Sequence, residues 1–186
     1  MSRISILLIF IAALGVRCNW ADKKPFCNFP QLFPVTMETS KAYVDVDKYM
    51  GTWYEIARTP HSFQKNCICS EATYEHNKGG KYFLINNKCL TKSGDITYGP
   101  KGKAFSENGH NTKFNVYMEF ILPGNYWILD IDPDYGWVVV GEPCRQLAWI
   151  MARTKTLAHD IVGSCIATLQ EKGYDTSDFV MRDKSC

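Results

Sequence analysis

The sequence predicts an all-β fold, an eight-stranded antiparallel up-and-down barrel with one C-terminal α-helix packed outside it. Three observations predict this fold. Short segments rich in β-branched and aromatic residues recur between residues 53 and 153, separated by Gly, Pro, Asn or Asp turns. Apolar and polar residues alternate within several of these segments. After residue 156 the spacing of the apolar residues changes from two to four, as in an amphipathic helix.

The predicted strands follow one another with short connections. They cover residues 53–59, 70–76, 81–87, 95–105, 112–120, 125–131, 135–141 and 146–153. The NKGG segment at 77–80 is a hairpin turn signal between the second and third strands. The predicted helix begins with Thr156 as its N-cap and stops at Gly173. Its apolar stripe contains Leu157, Ile161, Cys165 and Leu169.

The first residues are typical of a secretory leader. Residues 1–18 contain Arg3 and an apolar run over 4–14, which is too short to span a bilayer. We therefore expect a signal peptide at 1–18, an irregular extension at 19–45 and the barrel, helix and tail at 46–186. Because no later segment is long and apolar enough to be transmembrane, the sequence predicts a secreted, extracellular protein.

Charge and cysteine spacing exclude two classes of function. Loss of Arg3 and Arg17 with the leader lowers the 21 Lys and Arg to 19, equal to the 19 Asp and Glu. A chain without excess positive charge is not expected to bind nucleic acid. The spacing of the eight Cys does not resemble a metal site, so no metal is expected.

The strand faces indicate where a ligand would lie. Three strands each place apolar side chains on one face, and we expect these faces to point into the barrel. The residues are Phe114, Val116, Met118 and Phe120, then Trp127, Leu129 and Ile131, then Leu147, Trp149 and Met151. Such an interior can hold one small ligand or be filled by its own side chains, and the pattern alone does not decide between these. Glu55, on the Trp53 face, can pair with Arg153 or a water, or contact a ligand's polar end.

Several motifs together resemble those of the lipocalins. They are MGTWYEIARTP at 50–60, the DPDY turn at 132–135 and GEPCRQLAWIMART at 141–154, followed by one helix. They are most similar to the group of apolipoprotein D, bacterial lipocalin, plant temperature-induced lipocalin and bilin-binding insect and crustacean pigment proteins. The resemblance implies that Trp53 caps the closed end of the barrel with Arg153 across its face, and that the barrel-closing residues are Gly51, Trp53, Asp134, Tyr135 and Arg153.

The resemblance also implies a function. It is that of a carrier that binds a small hydrophobic molecule non-covalently, such as a bilin, carotenoid, retinoid, steroid or fatty acid. No cofactor is required, although a chromophore or lipid can be bound, and Trp149 is the first candidate for ligand contact. We expect the loops at 60–68 and 105–112 to control access. A homo- or hetero-oligomer or a cell-surface receptor is a possible partner.

Two alternatives to simple carriage remain open. Met118 and Met151 could reduce oxidised lipid, which would make the protein a protective scavenger. One lipocalin branch is a thiol-dependent isomerase, and Cys67 or Cys69 would then be its nucleophile. Because no His forms a visible dyad with a Cys or Ser, the prediction is that the chain is not an enzyme.

The disulfide pattern is implied by the resemblance and is open in part. The apolipoprotein D group suggests Cys27–Cys144 and a bridge from Cys67 or Cys69 to Cys186. Other lipocalins suggest Cys89–Cys186. Cys69 and Cys89 are each ten residues from Gly79, so they could also face each other across the hairpin. Cys165 is expected to be a buried free thiol.

Overall fold

The computed structural model of the chain describes residues 37–119 and 123–186. Its helices are α1 (Val46–Tyr49) and α2 (His159–Glu171), and a 3₁₀ turn covers Ser62–Gln64. Its strands are β1 (Gly51–Arg58), β2 (Cys67–His76), β3 (Phe83–Thr91), β4 (Ile96–Tyr98), β5 (Gly102–Ser106), β6 (Lys113–Met118), β7 (Gly124–Ile131), β8 (Trp137–Gly141), β9 (Ala148–Ala152) and β10 (Val180–Met181). The predicted signal peptide and residues 19–36 of the predicted extension lie outside the described residues.

The strands form a closed antiparallel barrel because β1 pairs with both β2 and β9. β4 and β5 pair with the same strand, β3, in the same direction, so they are two halves of one barrel strand. Residues 99–101 interrupt that strand, and Pro100 in the middle has no N–H to donate to the ladder. The barrel therefore has eight strands, with α2 packed outside it, and the predicted fold class is confirmed.

Apolar side chains form two clusters, one on each side of the barrel wall. The interior cluster fills the barrel and includes Trp53, Tyr74, Phe83, Phe114 and Met151. The helix cluster lies between the outer face and α2 and includes Ile56, Val139, Ile150, Cys165 and Leu169. Alternation along a strand supplies both clusters at once, since successive side chains point to opposite faces.

The start of α2 differs from the prediction. Thr156 is not the N-cap: the helix begins at His159, and Ala158 occupies the cap position without a side-chain hydrogen bond. The end agrees with the prediction, since the helix stops at Glu171 and Gly173 follows with a φ of +83°. A left-handed residue at this position is the usual glycine stop of a helix.

Three β-bulges interrupt the alternation of the strands. They lie between Glu55 and Ala57 in β1, between Cys67 and Cys69 in β2, and between Ile128 and Asp130 in β7. Each bulge inserts one extra residue on its strand, so side chains on one side of it are out of phase with those on the other.

The bulge in β7 overturns one prediction. Trp127 and Leu129 do not point into the barrel but belong to the helix cluster. Ile128 and Ile131 point inward instead, because both belong to the interior cluster. The sequence pattern placed Trp127, Leu129 and Ile131 on one face, which is true only of an uninterrupted strand.

One predicted rim loop lies at the other end of the barrel. The closed end is defined here by α1 and the 132–136 turn. The connection at 107–112 lies at this end, since the Val44 N–H donates to the His110 carbonyl at 2.9 Å and the Asn111 side chain donates to the Val44 carbonyl at 3.1 Å. Access through the opposite, open end is therefore bordered by the 59–66 loop, as predicted, but not by residues 105–112.

The C-terminal tail completes the wall near the open end. β2 pairs with residues 51–54 of β1, whereas β10 pairs with Ala57 and Arg58 on the same side of that strand. The Arg182 guanidinium donates to the carbonyls of Glu55 and Ser70 at 3.3 and 3.0 Å. The tail thus fills the gap that opens where β1 and β2 separate.

Two disulfides are described completely. The hairpin disulfide joins Cys67 to Cys89 and the tail disulfide joins Cys69 to Cys186. The tail disulfide is one of the predicted alternatives, whereas Cys69–Cys89 and Cys89–Cys186 are wrong. The hairpin register pairs Cys89 with Ser70 instead of Cys69, and the β2 bulge shifts Cys67 relative to Cys69.

The other cysteines largely agree with expectation. Cys144 is disulfide-bonded, and its predicted partner, Cys27, lies outside the described residues. Cys165 is a free thiol buried under α2. Burial raises the pKa of the Cys165 thiol to about 12, so this thiol stays protonated at neutral pH.

Candidate functional site: the barrel interior and its open end

Trp53 and Arg153 plug the closed end of the barrel. Trp53 is completely buried, and its indole N–H donates to the Tyr49 carbonyl at 2.9 Å. The Arg153 guanidinium carbon lies 3.8 Å from the centroid of the Trp53 ring. The same guanidinium donates to the carbonyls of Lys48, Met50 and Thr52. It therefore joins α1 to β1 while it covers the indole, which is the arrangement that the resemblance implies.

The neighbouring turn residues have different roles. Gly51 has a φ of +95°, and a Cβ there would lie 3.4 Å from Nη1 of Arg153, so glycine suits both the turn and the close approach. The Tyr135 hydroxyl accepts from the Asp45 N–H at 2.8 Å and ties the 132–136 turn to α1. Asp132, not the exposed Asp134, supports this turn by accepting from the Gly136 N–H at 2.8 Å.

A group of aromatic rings fills the lower half of the barrel, which is the half next to the plug at the closed end. Tyr49 stacks on Tyr74 with centroids 5.6 Å apart, and Phe83 makes edge contact with Phe114 at 5.2 Å. The Tyr126 ring packs edge-on against Tyr74 at 6.2 Å. The sequence left open a filled or a hollow interior, and in this half the interior is filled.

Three phenol groups meet at the top of these rings. The Tyr126 hydroxyl lies 2.6 Å from that of Tyr49 and 3.0 Å from that of Tyr74. Burial raises the pKa of all three phenols, that of Tyr74 to about 12, so all remain protonated at neutral pH. Two contacts among three hydroxyls use two of their three hydrogens. One donor therefore has no acceptor among the described residues.

The interior surface above the phenols reaches solvent. Four inward-facing side chains pack against the interior cluster and are only half-buried: Val116, Met118, Tyr126 and Trp149. Gly102 makes room there, because a Cβ at this residue would overlap the Met118 sulfur and lie 3.2 Å from Ile85. Apolar side chains that are inside a barrel and still partly exposed indicate that the open end is not completely filled, and the space beside these four side chains is termed the hollow.

A polar network lies beside this hollow. The buried Arg58 guanidinium donates to the Glu55 carboxylate at 2.8 Å and to the carbonyls of Gln64 and Cys67. The Gln64 amide donates to Glu55 and to the Ser70 hydroxyl, both at 2.9 Å. The Trp149 indole N–H points to the Gln64 side-chain oxygen at 3.4 Å. The network thus holds the loop that carries Gln64 against the inner wall.

The partner of Glu55 differs from the sequence prediction. Glu55 pairs with Arg58 and not with Arg153. Burial raises the pKa of Glu55, and the charge of Arg58 is the largest opposing influence. In a regular strand, residues 55 and 58 would face opposite sides, but the β1 bulge turns both inward. Arg58 was missed because no local pattern reports a bulge, and Gln64 and Ser70 were missed because they join the network only through tertiary contacts.

The remaining predicted ligand residues lie at varied positions. Phe114 and Met151 are buried in the interior cluster. Leu147 is half-buried just before β9. Phe120 lies outside the described residues. Met118 is partly exposed inside the barrel, whereas Met151 is not, and their proposed role in reducing oxidised lipid stays a prediction.

Comparison with known proteins places this barrel in a family. The family model described as "Lipocalin-like domain" matches residues 44–184. The chain belongs to the lipocalin family. This lipocalin is 34% identical over 152 residues to temperature-induced lipocalin-1 of Arabidopsis thaliana, covering 76% of this chain and 79% of that protein. It is 27% identical over 187 residues to apolipoprotein D of Macaca fascicularis, covering 96% and 95%.

A solved structure agrees with these sequence relatives. Insecticyanin from the tobacco hornworm Manduca sexta superposes with a TM-score of 0.61 at 19% identity, covering 81% of this lipocalin and 85% of that chain. At this identity the likeness concerns the fold. The predicted resemblance to the lipocalins is thus confirmed.

The isomerase alternative loses its nucleophile in this lipocalin. That branch has a reactive thiol in its second strand, and the two candidates near the start of this strand, Cys67 and Cys69, are both in disulfides. None of the helices in the described part of the chain is long and apolar enough to cross a membrane.

Proposed function

We propose that this lipocalin is a secreted carrier that binds one small, largely apolar molecule non-covalently in the open half of its barrel. The observation that carries the proposal is the set of half-buried inward side chains, Val116, Met118, Tyr126 and Trp149. Covering their apolar surface with a ligand contributes about 25 cal/mol per Å² removed from water. The described disulfides suit an oxidising extracellular compartment.

The polar groups of the interior favour a ligand with a hydrogen-bond acceptor at its deep end. The phenols of Tyr49, Tyr74 and Tyr126 are protonated and have one donor to spare. A carbonyl or hydroxyl oxygen would accept from it, whereas the filled lower half leaves no room for a bulky deep end. We infer a flat or single-chain apolar molecule that ends in an oxygen.

A matched pair of tryptophan variants tests the proposal. Trp149 lines the hollow, whereas Trp127 packs under α2 on the outer face. The neutral fluorescent probe N-phenyl-1-naphthylamine should bind the wild-type protein and receive energy from tryptophan. Trp149→Phe should weaken binding by about three- to tenfold, because apolar contact is lost. Trp127→Phe should leave the affinity unchanged.

Two results would contradict carriage in this hollow. One is failure of the probe, and of a panel of retinol, progesterone and dodecanol, to bind at all. The other is equal loss of affinity in Trp127→Phe and Trp149→Phe. Native mass spectrometry of protein from its natural source gives an independent check, since a carried molecule should appear as extra mass that disappears on denaturation.

A further inference from the structure

A groove of about 520 Å³ lies at the open end of the barrel. It is bordered by the 59–66 loop, the start of β2 and the C-terminal tail. Its lining includes Arg58, His61, Lys65, Lys92, Met181 and Asp183. No residue of the interior cluster lines it. The groove adjoins the hollow proposed above to hold the apolar ligand, because the His61 ring centroid lies 5.8 Å from that of Trp149, but its own lining is rich in polar and charged residues.

The tail holds the far wall of the groove in place. The Arg182 N–H donates to the Ile56 carbonyl at 2.8 Å, and the Asp183 N–H donates to the Ile68 carbonyl at 3.3 Å. The tail disulfide fixes the end of the same segment to β2. A wall that is hydrogen-bonded and covalently anchored gives the groove a preformed shape.

Polar atoms without partners are concentrated at this groove. Five buried side-chain nitrogens in the described part of the chain have no hydrogen-bond partner, and three of them belong to Arg58 and His61. They are Nε of Arg58 and both ring nitrogens of His61. Only one nitrogen of a neutral imidazole carries a hydrogen, so the unpaired donors are Nε of Arg58 and one nitrogen of His61. Buried donors without acceptors are costly and uncommon, so these two indicate a missing acceptor at the groove.

The charges around the groove favour an anion as that partner. Lys65 and Lys92 are exposed side chains of the lining, and Asp183 is its acidic residue. The Asp183 carboxylate accepts from the hydroxyl and N–H of Ser185 at 2.7 and 2.8 Å, which lowers its pKa, so it keeps one negative charge against the three cations of the lining. The positive charge of Arg58 is offset by Glu55, but its Nε hydrogen is still unused.

We propose that this groove is a second binding site, which takes a carboxylate or phosphate group carried on a short apolar body. The anionic oxygens would accept from Arg58 and His61, and Lys65 and Lys92 would neutralise the charge. The apolar body would rest on Pro60, Ile68, Val180 and Met181, which also line the groove.

The Phe63 side chain must move before an anion can reach the His61 ring. The His61 ring is stacked on Phe63 with centroids 3.7 Å apart, and Phe63 is 66% exposed. Burial is the main influence that lowers the pKa of His61 to about 4, and the nearby positive charge of Arg58 lowers it further. The ring is therefore neutral at pH 7 and can donate one hydrogen bond once the exposed Phe63 side chain rotates away.

The test follows the NMR signals of the His61 imidazole while inorganic phosphate is added at constant ionic strength. The variant His61→Phe assigns these signals, because they are absent from its spectrum. We expect the His61 signals to shift with saturation. Lys65→Ala/Lys92→Ala should bind phosphate about three- to tenfold more weakly, because two favourable charges are lost. The matched control Lys78→Ala/Lys101→Ala removes two exposed lysines elsewhere and should bind within twofold of the wild type.

A second titration separates the sources of the anion and the two proposals. Dodecyl phosphate and dodecanol are compared for displacement of N-phenyl-1-naphthylamine from the barrel. A phosphate-dependent shift of His61, with equal displacement by both amphiphiles, identifies a site for a separate anion. A shift together with stronger displacement by dodecyl phosphate identifies a site for the head of an amphiphile. Both results support the groove.

Other outcomes overturn one proposal and leave the other standing. If dodecanol displaces the probe but neither phosphate nor dodecyl phosphate shifts His61, the anion site is refuted and carriage in the barrel stands. Equal weakening in the two lysine double variants also refutes the site. If phosphate shifts His61 but no apolar probe binds, the groove stands and the proposed carriage fails.

Discussion

Replacing Arg58 with Met removes the cation that pairs with Glu55 inside the barrel. Nη1 of Arg58 lies 2.8 Å from the Glu55 carboxylate, and the two side chains are 4% and 9% exposed. Removal of one partner from a buried ion pair leaves an uncompensated charge and costs about 3–5 kcal/mol of unfolding free energy. Met keeps an unbranched apolar stem but has three fewer heavy atoms than Arg, so the loss contains some packing besides the charge and the hydrogen bonds.

The loss should depend on pH, with a sign set by Glu55. Burial already raises the pKa of Glu55, and removing Arg58 takes away the largest influence that lowers it. The folded variant therefore holds a proton on Glu55 more strongly than the unfolded chain does. Its stability is greatest when Glu55 is protonated and falls as the pH rises through the pKa of the folded state. Glu55→Gln/Arg58→Met should lose this dependence.

Urea unfolding followed by tryptophan fluorescence at pH 5 and pH 8 measures both effects. Lys88→Met is the matched control, because Lys88 pairs with Glu71 at 2.9 Å but the two side chains are 41% and 25% exposed. An exposed pair of this kind contributes little to stability. Equal costs for Arg58→Met and Lys88→Met, or a cost for Arg58→Met that does not change between the two pH values, would refute the assignment of a buried, desolvated pair.

Three further predictions concern stability, each measured by urea unfolding. Arg153→Ala should cost about 2–4 kcal/mol, since it removes both the contact with Trp53 and hydrogen bonds to three carbonyls; a cost near zero would contradict the plug. Serine at both cysteines of the tail disulfide should cost about 1.5 kcal/mol more than serine at both cysteines of the hairpin disulfide, because the tail disulfide closes the longer loop; the reverse order would be inconsistent with that entropic account. Gly141→Ala should cost about 1–3 kcal/mol, because its Cβ would overlap the Tyr174 hydroxyl, whereas Gly109→Ala, with open space around it, should cost little; equal costs would place Tyr174 elsewhere.

The sequence alone determined the order of the strands and the class of fold, and its resemblance to the lipocalins implied the plug at the closed end. Period-two alternation and Gly, Pro, Asn and Asp turns are local signals, so they can be read without knowing which strands meet. The interior positions of Phe114, Val116 and Met118 follow from that alternation, because β6 has no bulge between Lys113 and Met118. Trp149 was also placed inward correctly, since β9 is regular over Ala148–Ala152.

The tertiary structure decided the parts of the site where chain segments distant in sequence meet. The three phenols come from α1, β2 and β7, and the groove comes from a loop, the start of β2 and the C-terminal tail. No spacing within one element predicts such meetings. The 107–112 connection is different, because it joins the fourth and fifth predicted strands, and counting strand reversals from Trp53 places it at the closed end from the sequence alone.

Three bulges account for the errors in which way the strand side chains face and in the cysteine pairing. The β7 bulge places Trp127 and Leu129 on the outer face, and the β1 bulge brings Arg58 to Glu55. The β2 bulge lies between Cys67, which is bonded to Cys89, and Cys69, which is bonded to Cys186. A bulge is stabilised by the pairing of its strand with a neighbour and by the packing on both faces, not by its own residues. The sequence therefore determines which segments are strands, and the closed barrel determines which side of the wall each side chain occupies.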